Sequence, residues 1–164
     1  MKPATSHILC LVIVTVGLAF VGFIYWSQPR TFAEVGTKAQ VAAGTYQIDK
    51  VEFQKGLDAF RREDYEESRI AFDHADPEKH DATTEFYIAY SYYRQGWGRL
   101  SNDDKLFAPG LEAVNRVIAL NPNFHSDDPD LKMQAPSELK TELEEGLKIT
   151  PSDFNPMRLT RERK

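Results

Sequence analysis

The side chains able to hold a metal or move a proton are scattered through this 164-residue chain. His74, His80 and His125 lie far apart in sequence and in no HExxH arrangement. Asp127-Asp128-Pro129-Asp130 lacks the glycine and the ligand spacing of a calcium loop, and reads as a solvated acidic loop. Cys10 is the only cysteine, which excludes an intramolecular disulfide and a cysteine metal cluster. There is no Gly-x-Ser-x-Gly, no phosphate loop and no dinucleotide fingerprint. The expectation is therefore a protein that is no enzyme, with no cofactor, no metal and no small-molecule substrate. What remains is recognition chemistry. Aromatic and arginine side chains crowd the stretch from Phe53 to Trp97. Such rings offer large, rigid contact area, and guanidinium groups pair with carboxylates. Trp97 opens the segment Trp97–Lys105, which is either a recognition loop with an exposed anchor or a turn whose Trp97 folds over an apolar gap.

Charge and hydropathy say where such recognition takes place. The net charge is -5 and the pI about 5.4, against the basic face that a nucleic-acid binder needs. Mean hydropathy is -0.48, yet Ile8–Trp26 is an uninterrupted run without charge. Nineteen helical residues reach roughly 28 Å at about 1.5 Å each, close to the ~30 Å hydrocarbon core of a bilayer. Tyr25 and Trp26 close the run with residues that favour the membrane–water interface. The run is longer than the apolar part of a signal peptide, about 7–15 residues. The alternative is cleavage, after Ala33 at best. The expected organisation is a membrane anchor over 1–27, a linker over 28–46, a helical domain over 47–149 and a flexible basic tail over 150–164. Basic residues flank the run almost evenly, Lys2 before and Arg30 and Lys38 after. The very short N-terminal tail favours a single-pass protein whose soluble domain is periplasmic or otherwise extracytoplasmic, with the cytoplasmic side as the other case.

Beyond the linker the apolar residues recur with helical period. The pattern predicts a helix over Ile48–Arg62, a second from the N-cap Asp64 to Ala75, and a third from the N-cap Asp81 to Gln95, ended by Gly96. A fourth is expected from about Leu106 to Leu120. A fifth begins at Pro136 and carries Leu139, Leu143 and Leu147 along one face. No alternating β-type run appears outside the membrane segment. The fold class is all-α.

Helices one and two look like helices three and four. Gly56-x-x-Ala59 answers Ala89-x-x-Tyr92 thirty-three positions on. Tyr65, Ser68, Phe72 and Ala75 mark the second helix of the first unit, and Gly110, Val114 and Val117 that of the second. The ending Ile118-Ala119-Leu120-Asn121-Pro122-Asn123 completes the pattern. Over Ile48–Phe124 the chain resembles the tetratricopeptide repeats, whose period is about 34 residues. Departures are Glu52 and Glu85 where that family has Trp, Lys55 where it has Leu, and the insertion Trp97–Lys105 at a normally tight turn.

The resemblance implies two stacked helical hairpins with the fifth helix as a cap. It implies a groove lined by the first helix of each repeat. Carried over to this sequence, the partner-binding residues are Phe53, Leu57, Phe60, Arg61, Phe86, Tyr90, Tyr93 and Arg94, with Trp97 beside them. Some of these rings are equally readable as core. The implied function is that of a membrane-tethered scaffold that binds a peptide or helix of a protein partner, for instance in assembly of a membrane complex. The alternative is a structural subunit of a larger membrane-associated complex. On the groove reading, Phe86→Ala with Tyr90→Ala should weaken capture and leave the fold intact.

Overall fold

Among the described residues after Tyr46, the chain forms five helices, each started by an aspartate or a proline. The structure, a computed structural model, describes residues 11–22, 40–41, 44, 46–98 and 102–148. The chain divides into two units, Met1–Tyr46 and Gln47–Lys164. Within the first unit, 11–22 is helical and its apolar side chains are exposed. The rest of the expected anchor, the candidate cleavage point at Ala33 and the basic tail lie outside the described residues. Among the described residues no helix is long and apolar enough to cross a membrane.

In the second unit the helices are α1 (Lys50–Arg61), α2 (Tyr65–Ala75), α3 (Ala82–Gly96), α4 (Asp104–Leu120) and α5 (Pro136–Leu147). No described residue is in a strand, and the fold is all-α. Each start has a local cause. The side chain of Asp49 accepts from the N–H groups of Val51 and Glu52, so α1 begins two residues later than the apolar pattern suggests. Asp64 and Asp81 cap α2 and α3 through Glu67 and Thr84. Asp103 caps α4 through Lys105, so this helix starts before Leu106 and takes in the end of the insertion. For α5, Pro136 supplies the first turn, and Glu138 reaches back to the N–H groups of Gln134 and Ala135 at 3.1 and 3.2 Å.

Packing follows chain order: α1 lies on α2, α2 on α3, α3 on α4, and α4 on α5, with α5 also touching α3. Small residues set the closest approaches. A Cβ on Gly56 would lie 2.6 Å from the ring of Phe72, and Ser68 donates to the Gly56 carbonyl at 3.0 Å. In the second hairpin Gly110 lies 3.6 Å, measured from an added Cβ, from the Ala89 carbonyl. The two second helices match position by position. Tyr65, Ala71, Phe72 and Ala75 are buried, and so are Phe107, Ala113, Val114 and Val117. Each partner is forty-two places on, the thirty-three of the first helices plus the nine of the insertion. Leu139 and Leu143 of α5 are fully buried against the same core.

Phe72 cannot swing away from a new methyl group, because it is itself fully buried. Gly56→Ala gains about 1 kcal/mol of helix propensity but overpacks the crossing by about 1–3 kcal/mol. The 2.6 Å contact puts the overpacking at the upper end, about 2–3 kcal/mol, so the expected net loss is about 1–2 kcal/mol, seen as a fall of roughly 4–16 °C in the thermal midpoint of the helical domain. Gly110→Ala, whose Cβ would meet Tyr92 Cβ at 3.0 Å, should be milder.

Candidate functional site

The residues implied to line a groove do converge on one seam between α1 and α3. Their rings form a continuous cluster. Phe60 stands edge-on to Tyr87 and Tyr90 with centroids 5.4 and 6.1 Å apart, and Tyr90 continues to Phe86 at 6.0 Å and Tyr93 at 5.9 Å. Phe53 joins through Tyr87 at 6.2 Å. The guanidinium of Arg94 lies over Phe60 and Tyr90, 5.7 and 5.2 Å from the ring centres.

Few of these side chains meet solvent. Phe86, Tyr90 and Tyr93 are fully buried and Phe60 is nearly so, whereas Phe53, Leu57 and Arg94 are half-buried and only Arg61 is exposed. The cover is the chain itself. Between α4 and α5 runs a strap, residues 121–135, none of them helical. Phe124 packs on Phe86 with centroids 5.1 Å apart. Leu131 and Met133 point into the core at 2 and 3% exposure. The Tyr90 hydroxyl accepts from the main-chain N–H groups of Lys132 and Met133 at 3.1 and 3.3 Å. Tyr87 donates to Asp128 at 2.5 Å, and Arg94 donates to the Asp130 carbonyl at 3.3 Å. Burial, and then the Asp128 carboxylate, push the Tyr87 hydroxyl well above the ordinary tyrosine value, so it stays protonated and donates.

The strap corrects the reading of Asp127–Asp130 as a merely solvated loop. Asp127 and Asp130 are exposed, but Asp128 is half-buried and ties the strap down. It folds on itself as well: Ser126 donates to the Gln134 carbonyl at 2.9 Å, and Leu131 to that of Asp128 at 3.2 Å. The signal for it in the sequence was Leu131-x-Met133, a two-residue alternation between Pro129 and Pro136. The tie between Tyr87 and Asp128 was not legible because the two lie forty-one residues apart with no periodic relation between them.

Trp97 is half-buried and packs against the core. The described part of the insertion clasps α5. Asn102 donates to the Gly146 carbonyl at 3.2 Å and accepts from the Gly98 N–H at 3.5 Å. Residues 99–101 lie outside the described residues.

Away from the seam sits one buried ion pair. Glu85, at a place where the family resemblance expects Trp, is fully buried in α3. Its Oε2 accepts from Arg116 Nε of α4 at 2.7 Å, and its Oε1 has no hydrogen-bond partner among the described residues. Burial raises its pKa above the ordinary carboxylate value, against the pull of Arg116. On the α2–α3 contact, Arg69 lies 4.2 Å over the Tyr92 ring and donates to Ser91 at 3.4 Å. Both are contacts between helices and hold the scaffold that carries the seam. Among the described residues no group of three or more metal-ligating side chains occurs.

Compared with protein-family models, with curated proteins and with solved structures, the chain matches none.

Proposed function

We propose that this chain is a membrane-tethered adaptor of tetratricopeptide-like hairpins, and that its α1–α3 seam holds a peptide segment of a protein partner near the bilayer. It acts by binding and not by catalysis. The observation that carries this reading is the strap. The seam binds a non-helical, turned stretch of polypeptide by its main chain, through Tyr90, and by apolar side chains two residues apart, Leu131 and Met133. A peptide-binding face needs both elements. The equivalent buried positions of α2 and α4, forty-two places apart, support two copies of one hairpin pattern.

Tethering is supported by the apolar run. In its described part Leu11, Ile13, Val16, Leu18 and Val21 are each more than 60% exposed. A contiguous apolar surface of that kind marks an interaction with protein or lipid. Its one described hydroxyl, Thr15, donates to the Leu11 and Val12 carbonyls, so no polar side chain in it asks for water. A tether raises local concentration and lets modest contacts suffice. The seam side of the tether is assigned to the periplasm or another extracytoplasmic space.

The competing reading, a permanent structural subunit, requires a large unsatisfied apolar face. In the helical domain the exposed large apolar side chains among the described residues are Val51 and Ile70. That is too little for an obligate interface and favours the adaptor.

A photocrosslinking residue at the exposed Arg61 position of the full chain tests the proposal. The expected result is a discrete protein adduct in carbonate-washed membranes that disappears when residues 8–26 are deleted. A chain washed off membranes by carbonate, or one that yields no adduct there, sinks it.

A further inference from the structure

The strap is longer than a connection requires. Neighbouring helices in a bundle are usually joined by about 2–8 residues, and α4 and α5 are neighbours. The joining segment nevertheless runs from Asn121 to Ala135 and crosses the aromatic seam. It has the marks of a held ligand. Its main chain is recognised at two successive N–H groups. Its side chains alternate, Leu131 and Met133 inward and Lys132 exposed. Its acidic half faces a rim of mixed charge: Arg61, Glu63 and Arg94 line a cavity of about 310 Å³ together with Asp128 and Asp130. On the other side of Asp128 lies a second cavity of about 240 Å³, beside Phe53 and Phe124. A third cavity, of about 450 Å³, lies beside Lys132 and Met133, so there is free space along both halves of the occupant, while the Leu131 and Met133 side chains are themselves only 2 and 3% exposed.

We infer that the α1–α3 seam accepts in trans an acidic segment of the pattern Asp-x-Asp-aliphatic-x-aliphatic, turned at its acidic end as residues 128–131 are, and that residues 128–133 are its built-in occupant, which the partner displaces. The inference rests on the peptide-binding reading above and narrows it. In the overall acidic chain, Arg61 and Arg94 select carboxylates at this rim. Tyr90 reads the main chain next to the aliphatic pair, and the pockets of Leu131 and Met133 set the two-residue spacing. A tethered occupant at an effective concentration of about 1 mM competes strongly. Against an intrinsic Kd of about 10 μM it leaves about 1% of the seam open, so a free ligand binds about 100-fold more weakly than to an open seam. The strap therefore sets a threshold that only a partner concentrated at the same membrane passes.

The probe is a synthetic peptide of residues 124–134, added to the detergent-solubilised full chain. It is measured against the natural sequence and against Leu131→Ser with Met133→Ser, in which the occupant is weakened and the seam residues are unchanged. The expected result is binding to the double variant about 100-fold tighter than to the natural chain, lost when the peptide's own two aliphatic residues are replaced by serine. Equal binding to both chains, or no binding to a double variant that keeps its helical circular dichroism, overturns the inference. Hydrogen exchange on the natural chain decides the matter if the variant unfolds. The amides of Lys132 and Met133 should exchange at least 10-fold faster than the slowest amides of α3, through opening of the strap alone. Exchange at the same rate as global unfolding makes the strap a piece of core and overturns the inference. A chain that captures a membrane partner yet ignores the peptide removes this inference and leaves the adaptor standing, whereas peptide binding without any membrane partner removes the adaptor alone.

Discussion

Phe86→Ala combined with Tyr90→Ala should unfold the helical domain. Both side chains are fully buried, and their rings touch at a centroid distance of 6.0 Å. Truncating a buried aromatic to alanine costs about 3–5 kcal/mol. Two of them reach about 6–10 kcal/mol before any coupling between neighbours, against a total of about 5–15 kcal/mol for an ordinary domain. The far-ultraviolet circular dichroism of the double variant should show lost helix at 25 °C. A variant that stays helical and merely fails to bind a partner contradicts the buried cluster. The expectation drawn from the groove pattern, binding lost and fold kept, is thereby corrected: these rings lie under the strap. Two milder changes separate the contributions. Tyr90→Phe keeps the ring but orphans the Lys132 and Met133 N–H groups, at about 1–3 kcal/mol. Arg61→Ala, on an exposed side chain, should stay within about 0.5 kcal/mol.

The second large effect belongs to the α3–α4 ion pair. Arg116→Met removes the partner of a carboxylate that is wholly shut off from water. Breaking a buried pair costs about 3–5 kcal/mol. Arg116 itself is about one-third exposed, so the loss is placed at the lower end, about 3 kcal/mol near pH 7.5. The sign of the pH dependence follows from the direction of the Glu85 shift. Its folded pKa is raised, with burial as the chief cause, so the folded state favours the protonated acid. Its favourable contribution is then complete below the ordinary value of 4.5 and is lost as pH rises through the folded value. Arg116→Met raises that folded value further, because only the opposing attraction is removed. Acidification from pH 7.5 towards 4.5 should therefore recover part of the variant's lost stability, in urea melts followed by tyrosine fluorescence. Adding Glu85→Gln should flatten this dependence. A variant equally destabilised at every pH would show that Glu85 keeps its charge by another route.

Much of the helical framework was legible because its signals are local. Asp64 and Asp81 stand one residue ahead of an apolar period and accept the first free N–H groups, whatever lies across the core. Pro136 opens α5 for the same kind of reason. The thirty-three-residue spacing of Gly56 and Ala89 locates the two hairpin crossings, since only small side chains permit those approaches. The start of α1 was less legible. Ile48 fits the apolar period, but the Asp49 carboxylate accepts from Val51 and Glu52 and fixes the boundary later.

The face of α3 shows where sequence stops. Phe86, Tyr90 and Tyr93 recur at helical spacing, which assigns them to one side of the helix and nothing more. Whether that side meets a partner or the chain itself depends on residues 121–135, some forty places distant. Glu85 is a like case: an acid in an aromatic helix reads as exposed until Arg116 is brought to 2.7 Å from it. Sequence alone determined the five helices of the second unit, the caps at Asp64 and Asp81 and the thirty-three-residue spacing, because backbone hydrogen bonding and apolar period act over a few residues. Tertiary structure alone decided which aromatic face is covered, by what, and which charge is buried, because those are set by contacts between segments whose separation along the chain carries no periodic mark.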